Sequence, residues 1–233
     1  MHHHIKILVI FYSLTGKTAA LAREIARGAE EVKGTAVMVR RVPELLGESF
    51  FKDKPSLEKT REKLETEFPV VTPDDLVEAD GVAFGTPVHF GSFASQIKQF
   101  IDQLSPAWLK GKLIGKPAAV FCSAGSIHGG EEVTLMSLMV PLLNLGMLPL
   151  GIPYPIQGEG PEFDAGSPYG AVFVSGHHGE NDLSSGDIKI AHLLGRRLAT
   201  MAQLLACDCV TCTACREVMK SNSTSNPLED KSK

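Results

Sequence analysis

The sequence has few aromatic residues and no large excess of charge of either sign. Of its 233 residues only 6% are aromatic, with a single tryptophan, and 23 basic residues face 27 acidic ones, which gives a net charge of −4. Proteins that bind nucleic acid through its phosphates usually carry a basic excess, so we expect no nucleic-acid partner. The 43% of hydrophobic and 21% of charged residues match an ordinary globular protein and exclude wholesale disorder.

Long uncharged runs are rare, and the one that reaches membrane-spanning length is broken by proline. Residues 133–158 carry no charged side chain but include Pro141, Pro149, Pro153 and Pro155. In lipid these prolines would leave backbone groups unpaired, so we expect a buried helix and strand here and no membrane span. No secretory signal pattern is visible either, which predicts a cytoplasmic protein with reduced cysteines.

Cysteine is nearly absent until the last part of the chain, where it clusters. Cys122 is expected to be a buried core residue, whereas Cys207, Cys209, Cys212 and Cys215 form a C-x-C-x2-C-x2-C pattern. The last three have a spacing that resembles iron–sulfur ligation, while a structural zinc usually takes two separated pairs. The sequence leaves three alternatives for these four cysteines: they bind an iron–sulfur centre, they bind zinc, or they bind no metal.

Short buried strands alternate with helices over residues 5–205. The predicted strands are Ile5–Tyr12, Thr35–Val42, Gly81–Gly85, Pro117–Cys122, Met147–Gly151 and the short Ala171–Val174. The predicted helices are Thr18–Val32, Asp74–Glu78, Ser92–Leu104, Glu131–Leu145 and Asp187–Leu205. This alternation predicts an α/β fold with a doubly wound, five-stranded parallel sheet. Residues 43–73 are expected to be a poorly periodic insertion, and 206–233 a partly disordered, cysteine-containing tail.

The loop after the first strand has the composition of an anion site. Three hydroxyls, a glycine and free backbone N–H groups precede a helix in Ser13-Leu14-Thr15-Gly16-Lys17-Thr18. A Walker A loop would need glycine where Phe11 stands, and no G-x-G-x-x-G follows the strand. The hydroxyl-rich loop suits a terminal phosphate monoester.

Two further loops follow the third and fourth predicted strands, Gly85–Gly91 and Ser123–Gly130. Their glycines permit backbone to approach a flat ring closely, and Pro87 supplies a stiff wall. Ligands of doubly wound sheets bind at the carboxyl ends of the strands, so the three loops are expected to form one site.

The three loops, together with Arg41-Val42-Pro43-Glu44, Phe100–Gln103 and Pro168–Gly170, resemble the WrbA-type NAD(P)H:quinone oxidoreductases, a flavodoxin-like family. The resemblance covers about residues 5–205 and implies a flavodoxin-like FMN-binding domain. It implies that FMN is held by Ser13, Leu14, Thr15, Gly16, Lys17, Thr18, Val88, His89, Phe90, Ser123, Ala124, Gly125, Ser126, Ile127, His128 and Asn144. Trp108 matches a family tryptophan that lies over the flavin near the substrate.

Three positions depart from the family pattern. The family commonly has arginine at the position of His89, histidine at that of Asn144, and an aromatic residue at that of Thr15.

The resemblance also implies a function. That function is FMN-dependent, two-electron reduction of quinones by NADH or NADPH through ping-pong hydride transfer, carried out by a homotetramer. A flavodoxin-type electron carrier and a regulatory binding protein remain alternatives. The near-neutral charge and the extra segments at 43–73 and 104–116 favour an enzyme over a short, strongly acidic carrier.

Overall fold

The fold is a parallel sheet with helices on both faces. The computed structural model describes residues 4–154 and 165–206. Its strands are β1 (Ile5–Phe11), β2 (Thr35–Arg41), β3 (Gly81–Pro87), β4 (Pro117–Ala124), β5 (Leu148–Leu150) and β6 (Ala171–Val174). Its helices are α1 (Lys17–Glu30), α2 (Glu48–Phe51), α3 (Pro55–Glu67), α4 (Pro73–Glu78), α5 (Ser95–Asp102), α6 (Ser105–Leu109), α7 (Glu131–Asn144) and α8 (Ser185–Leu205).

The sheet has five positions, and the fifth is shared by two strands. The strand order is β2-β1-β3-β4, after which both β5 and β6 pair with β4. Residues 117–119 of β4 pair with β5, and residues 121–124 pair with β6. Since β3 occupies the other edge of β4, these two short strands lie in line with one another. The predicted five-stranded, doubly wound parallel sheet is therefore confirmed.

Strand β1 shows why the sheet must be covered on both faces. Ile7, Val9 and Phe11 belong to the core that contains α1 and α8, while Leu8 and Ile10 belong to the core that contains α4, α5 and α7. Successive side chains of a strand point to opposite faces of the sheet. A strand that is apolar throughout therefore needs helices packed on both faces. Among the described residues, no helix is long and apolar enough to cross a membrane.

Helices α1 and α8 are in close backbone contact at two glycines. A Cβ atom on Gly28 would lie 2.2 Å from the carbonyl oxygen of His192, and one on Gly195 would lie 2.0 Å from the carbonyl oxygen of Ile25. Only residues without a side chain allow the two helix axes to come this near.

The insertion at 43–73, expected to be poorly periodic, contains the two helices α2 and α3, which the sequence analysis did not predict. Only Leu64 of α3 is buried, which explains why its sequence lacks apolar periodicity. Ion pairs attach α3 to its neighbours instead. The two terminal nitrogens of the Arg61 guanidinium donate to Glu48 of α2 at 2.9 and 3.0 Å. Arg23 of α1 donates to Glu67 at 2.7 and 2.5 Å. The two helices had no signal in the sequence, because charge pairing leaves no hydrophobic pattern.

The cysteines divide between the core and the undescribed part of the chain. Cys122 is fully buried in β4, as expected, and burial raises the pKa of its thiol. Cys207, Cys209, Cys212 and Cys215 lie outside the described residues. Within residues 4–154 and 165–206, no group of three or more histidine, cysteine or acidic side chains is placed to hold a metal ion.

Candidate functional site

Three loops meet at the carboxyl edge of the sheet, where the order of strands reverses. β1 lies between β2 and β3, so the chain winds in opposite directions from this point. The loop after β1 begins α1, the loop after β3 precedes α5, and the loop after β4 begins α7. A doubly wound sheet opens a crevice at such a reversal, and ligands bind there.

The first loop presents unpaired hydrogen-bonding groups. Gly16 takes a left-handed conformation with φ of 84°, and the first helical hydrogen bond runs from the N–H of Ala20 to its carbonyl oxygen at 3.0 Å. The preceding N–H groups therefore lack helical acceptors. The buried hydroxyl of Ser13 has no hydrogen-bond partner in the structure, while the side chain of Thr15 is exposed.

Lys17 and Thr18 of the same loop are engaged with neighbouring segments. The Lys17 ammonium donates to the carbonyl oxygen of Asn181 at 2.6 Å and lies 3.2 Å from the Asp182 carboxylate. The hydroxyl of Thr18, fully buried, is 2.7 Å from that of Ser123 in the third loop. Thr18 thus joins two of the predicted binding loops.

The second loop is a tight turn that carries an exposed aromatic ring. His89 and Ser92 exchange two backbone hydrogen bonds of 2.9 and 3.0 Å around Phe90 and Gly91. Phe90 takes a left-handed φ of 53° and its side chain is entirely exposed. A phenyl ring held in water on this backbone is suited to contact a ligand. In the same turn, partial burial of the His89 imidazole lowers its pKa.

The third loop is fastened to the second one at both ends. The N–H of Val88 donates to the carbonyl oxygen of Ser123 at 2.8 Å. At the other end, Gly130 faces Gly91 so closely that a Cβ atom on Gly130 would lie 3.0 Å from the Gly91 Cα. Between these contacts lie Ala124, Gly125, Ser126, Ile127 and His128, of which Gly125, Ile127 and His128 are exposed.

Two segments near the site were not anticipated from the sequence. The loop after β6, residues 175–183, lies beside Gly125 and supplies the carbonyl group that binds Lys17. Helix α3 brings Thr60 against Gly16, and a cavity of about 260 Å³ opens between these segments and the first loop. The loop at 175–183 could have been expected, because the sequence predicts the strand Ala171–Val174 just before it. That strand became β6, which runs parallel to β4, so the loop after it starts at the same edge of the sheet.

Trp108 and Asn144 lie away from the three loops. Asn144 is the last residue of α7, which begins at the carboxyl edge with Glu131 and is about 20 Å long at 1.5 Å per residue. The Trp108 indole donates to the carbonyl oxygen of Asn144 at 3.1 Å, and its side chain is half exposed. Both residues are therefore near the amino edge of the sheet, so a flavin at the loops of the same chain is out of their reach.

The first three loops fit FMN. The unpaired Ser13 hydroxyl and the free N–H groups around Gly16 match a phosphate monoester, which accepts hydrogen bonds only. The exposed rings and glycines of the second and third loops leave room for a flat ring system. The fold and the site together define the class of flavodoxin-like flavoproteins.

Comparison with known proteins gives the family. The model of the family described as NADPH-dependent FMN reductase matches residues 5–160. Relatives from Geotalea uraniireducens and Geotalea daltonii, both named NAD(P)H dehydrogenase (quinone), are 39% and 40% identical over 203 and 202 residues. These alignments cover 86% of this chain and 99% and 98% of the relatives. The chain therefore belongs to the NADPH-dependent FMN reductase family, and it is an oxidoreductase that uses FMN and a nicotinamide nucleotide.

Solved structures agree with the fold. The flavodoxin-like WrbA-like protein from Agrobacterium tumefaciens superimposes with a TM-score of 0.58 at 22% identity, covering 85% of this chain and 98% of that chain. At this identity the likeness supports the architecture alone. The resemblance found in the sequence is confirmed by the relatives.

Replacing Thr18 with valine should weaken FMN binding by about 1–3 kcal/mol, because charged phosphate oxygens and the Ser123 hydroxyl would both lose a partner. Titration of the apoprotein with FMN, followed by flavin fluorescence, measures the loss. Thr66→Val is the matched control, since its hydroxyl binds only the carbonyl oxygen of Glu62 on exposed α3. Equal FMN affinity in both variants would remove Thr18 from the phosphate site.

Proposed function

We propose that this protein reduces quinones with NADH or NADPH, two electrons at a time, through bound FMN. The observation that carries the proposal is an open site in the described part of the chain, with the anion loop of residues 13–18 at the reversal of strand order, beside an exposed Phe90. The names of the relatives, NAD(P)H dehydrogenase (quinone), support quinone as the electron acceptor.

The proposal assigns binding roles to the three loops. The phosphate of FMN would be held by residues 13–18, and its ring system by residues 88–90 and 123–128. When bound, FMN supplies the redox chemistry, since a flavin takes up a hydride and returns two electrons to an acceptor. The protein contributes position and electrostatics, and no side chain has to act as a nucleophile.

Protons for the reduced quinone would come from solvent. His89 is the titratable side chain of the second loop, and partial burial lowers the pKa of its imidazole, which favours the neutral form. A neutral imidazole has no readily available extra proton to donate. Its role here is to hold the turn, through its two backbone bonds to Ser92.

Both substrates would use the same pocket in turn. The described residues contain one doubly wound sheet with one reversal point, so NAD(P)H and the quinone have the same open edge available. Double-reciprocal plots at several fixed quinone concentrations should therefore be parallel, which indicates a ping-pong mechanism. Intersecting lines, with dead-end inhibition that reveals a ternary complex, would reject the shared pocket.

The same assay separates the enzyme from the two alternatives. A flavodoxin-type carrier needs a partner reductase and would not oxidise NAD(P)H by itself, while a regulatory binding protein would turn over neither substrate. Sustained oxidation of NAD(P)H by the purified protein with a soluble benzoquinone supports the proposed function. Stoichiometric consumption that stops after one equivalent contradicts it.

We propose a homotetramer as the working form, because an apolar face of α7 lacks a covering element within the described chain. Val133, Met136, Val140 and Leu143 recur at helical spacing and are all exposed, and Trp108 continues the surface they form. Such a patch is suited to a second copy of the same chain. A neighbour could then bring its Trp108 and Asn144 to this chain's flavin.

Replacing Val140 with glutamate should dissociate the tetramer, since the charge would have to be buried without a partner. Multi-angle light scattering of the FMN-loaded protein measures the change. Glu132→Gln, in the first turn of the same helix but on a polar exposed position, serves as the control. A wild-type protein that is monomeric at micromolar concentration would refute the assembly.

A further inference from the structure

One carboxylate collects hydrogen bonds from three segments beneath the carboxyl edge of the sheet. Glu44 follows β2, and its Oε2 accepts a hydrogen bond from the hydroxyl of Tyr12 at 2.9 Å. Its Oε1 accepts one from the side-chain amide of Gln96 at 2.9 Å, and two more from the N–H groups of Leu45 and Leu46 at 2.8 and 2.9 Å. Four donors therefore converge on a single side chain.

Tyr12 connects Glu44 to two of the three loops that are predicted to bind FMN. Tyr12 is almost fully buried and immediately precedes the phosphate loop. Its backbone N–H binds the carbonyl oxygen of Gly85 at 3.1 Å. Its ring meets the imidazole of His89 edge to face, with 6.4 Å between the ring centres. The hydroxyl held by Glu44 thus fixes a ring that packs against the second loop.

The Gln96 branch leads to the same loop from its other end. Gln96 is buried in the first turn of α5. Just before this helix, the N–H of Ala94 binds the hydroxyl of Thr86 at 2.9 Å, at the end of β3. The turn at residues 89–92 thus has the ring of Tyr12 against its first residue and the Ala94–Thr86 hydrogen bond just after its last one. Each of these contacts adjoins a residue that hydrogen-bonds to Glu44.

The negative charge of Glu44 matches its surroundings. Each of its oxygens faces N–H or O–H donors, and a carboxylate, which only accepts, can bind all of them at the same time. Burial, and then the Glu44 carboxylate, raise the pKa of Tyr12, so the phenol remains a donor over the working pH range.

We propose that Glu44 is a positioning residue for FMN: through Tyr12 and Gln96 it sets the spacing between the phosphate loop and the His89 turn. The role goes beyond the proposed function, because it holds for flavin binding whatever the electron acceptor is.

Glu44→Gln tests the role with little change of volume. If the amide oxygen faces the three N–H donors, the amide NH2 group faces Tyr12, whose hydroxyl then has to turn from donor to acceptor and loses its charged partner. We expect the dissociation constant for FMN to rise tenfold or more and the visible circular dichroism of the bound flavin to weaken. Tyr12→Phe should have a similar effect, and the double variant should be no worse than the more severe single one, because the Tyr12 hydroxyl acts only through the bond to Glu44 that Glu44→Gln already alters.

Leu198→Ala is the matched control for lost stability. Leu198 is buried at the amino end of β3, next to Gly81, and so lies at the opposite edge of the sheet. All variants are compared at the same interval below their melting temperatures, after the wild-type FMN affinity has been measured. If Leu198→Ala weakens FMN binding as much as Glu44→Gln, or if Glu44→Gln lowers only the melting temperature, the positioning role is refuted.

A milder variant covers the case in which Glu44→Gln fails to fold. Gln96→Met removes one donor and leaves Tyr12 attached to the carboxylate. It should raise the FMN dissociation constant by a few-fold and alter the flavin circular dichroism. Unchanged values for both Gln96→Met and Tyr12→Phe would overturn the proposal.

Discussion

Replacing Gly195 with alanine should lower the free energy of unfolding by about 3 kcal/mol or more. The added Cβ atom would lie 2.0 Å from the carbonyl oxygen of Ile25 and 2.7 Å from the nitrogen of Ala29. Both are backbone atoms, so no side chain can rotate away, and α8 has to move off α1. The better helix propensity of alanine, about 1 kcal/mol, offsets only part of this loss. Urea unfolding followed by circular dichroism measures it.

Gly47 provides the control for this change. A Cβ atom there would meet only the Ser49 hydroxyl oxygen at 3.8 Å, and the backbone φ of −70° suits any residue. Gly47→Ala should leave the stability within about 0.5 kcal/mol of the wild type. If Gly195→Ala were equally mild, the close crossing of α1 and α8 would be disproved.

Replacing Gly130 with alanine should weaken FMN binding by about 1–2 kcal/mol, roughly five- to thirtyfold in the dissociation constant. Gly130 has φ of 104°, a conformation that L side chains rarely adopt, and its Cβ would lie 3.0 Å from the Cα of Gly91. The strain is relieved when the second and third loops move apart. FMN then has to draw them together again, and flavin fluorescence titration reports the cost.

Gly115→Ala separates backbone strain from loop displacement. Gly115 also has a positive φ, 78°, but a Cβ atom there would meet no atom within 4 Å. It precedes β4 and is therefore at the amino edge of the sheet. We expect a similar loss of stability and an unchanged FMN affinity. A similar loss of affinity in the two variants would show that the contact between the loops does not shape the flavin site.

The strands and most helices were predictable because burial on two faces leaves a strong local pattern. The apolar run that became β1 is an example: each of its residues from Ile7 to Phe11 is buried, and the predicted and observed strands differ by one residue. Helix α8 likewise ends at Leu205 as expected. The sequence analysis missed elements that are held by side-chain ion pairs and bury few apolar residues, above all α3.

The loops of the site were predictable, but distances were not. Their residue types and their place after parallel strands are local properties of the sequence. Whether Trp108 and Asn144 reach the flavin depends on the direction and length of α7, which no motif encodes. Glu44 illustrates the same limit, because its partners Tyr12 and Gln96 are far from it along the chain.

The contact between α1 and α8 also affects how the chain is made. α1 is synthesised well before α8, which follows all six described strands. Until then the part of α1 around Ile25 and Ala29, which faces Gly195 of α8 in the folded chain, is not covered by that helix. Contacts between distant parts of a chain form slowly and leave apolar surface open to aggregation. The contact between α1 and α8, which joins distant parts of the chain, is therefore expected to form slowly, and α1 stays exposed on that side until it does.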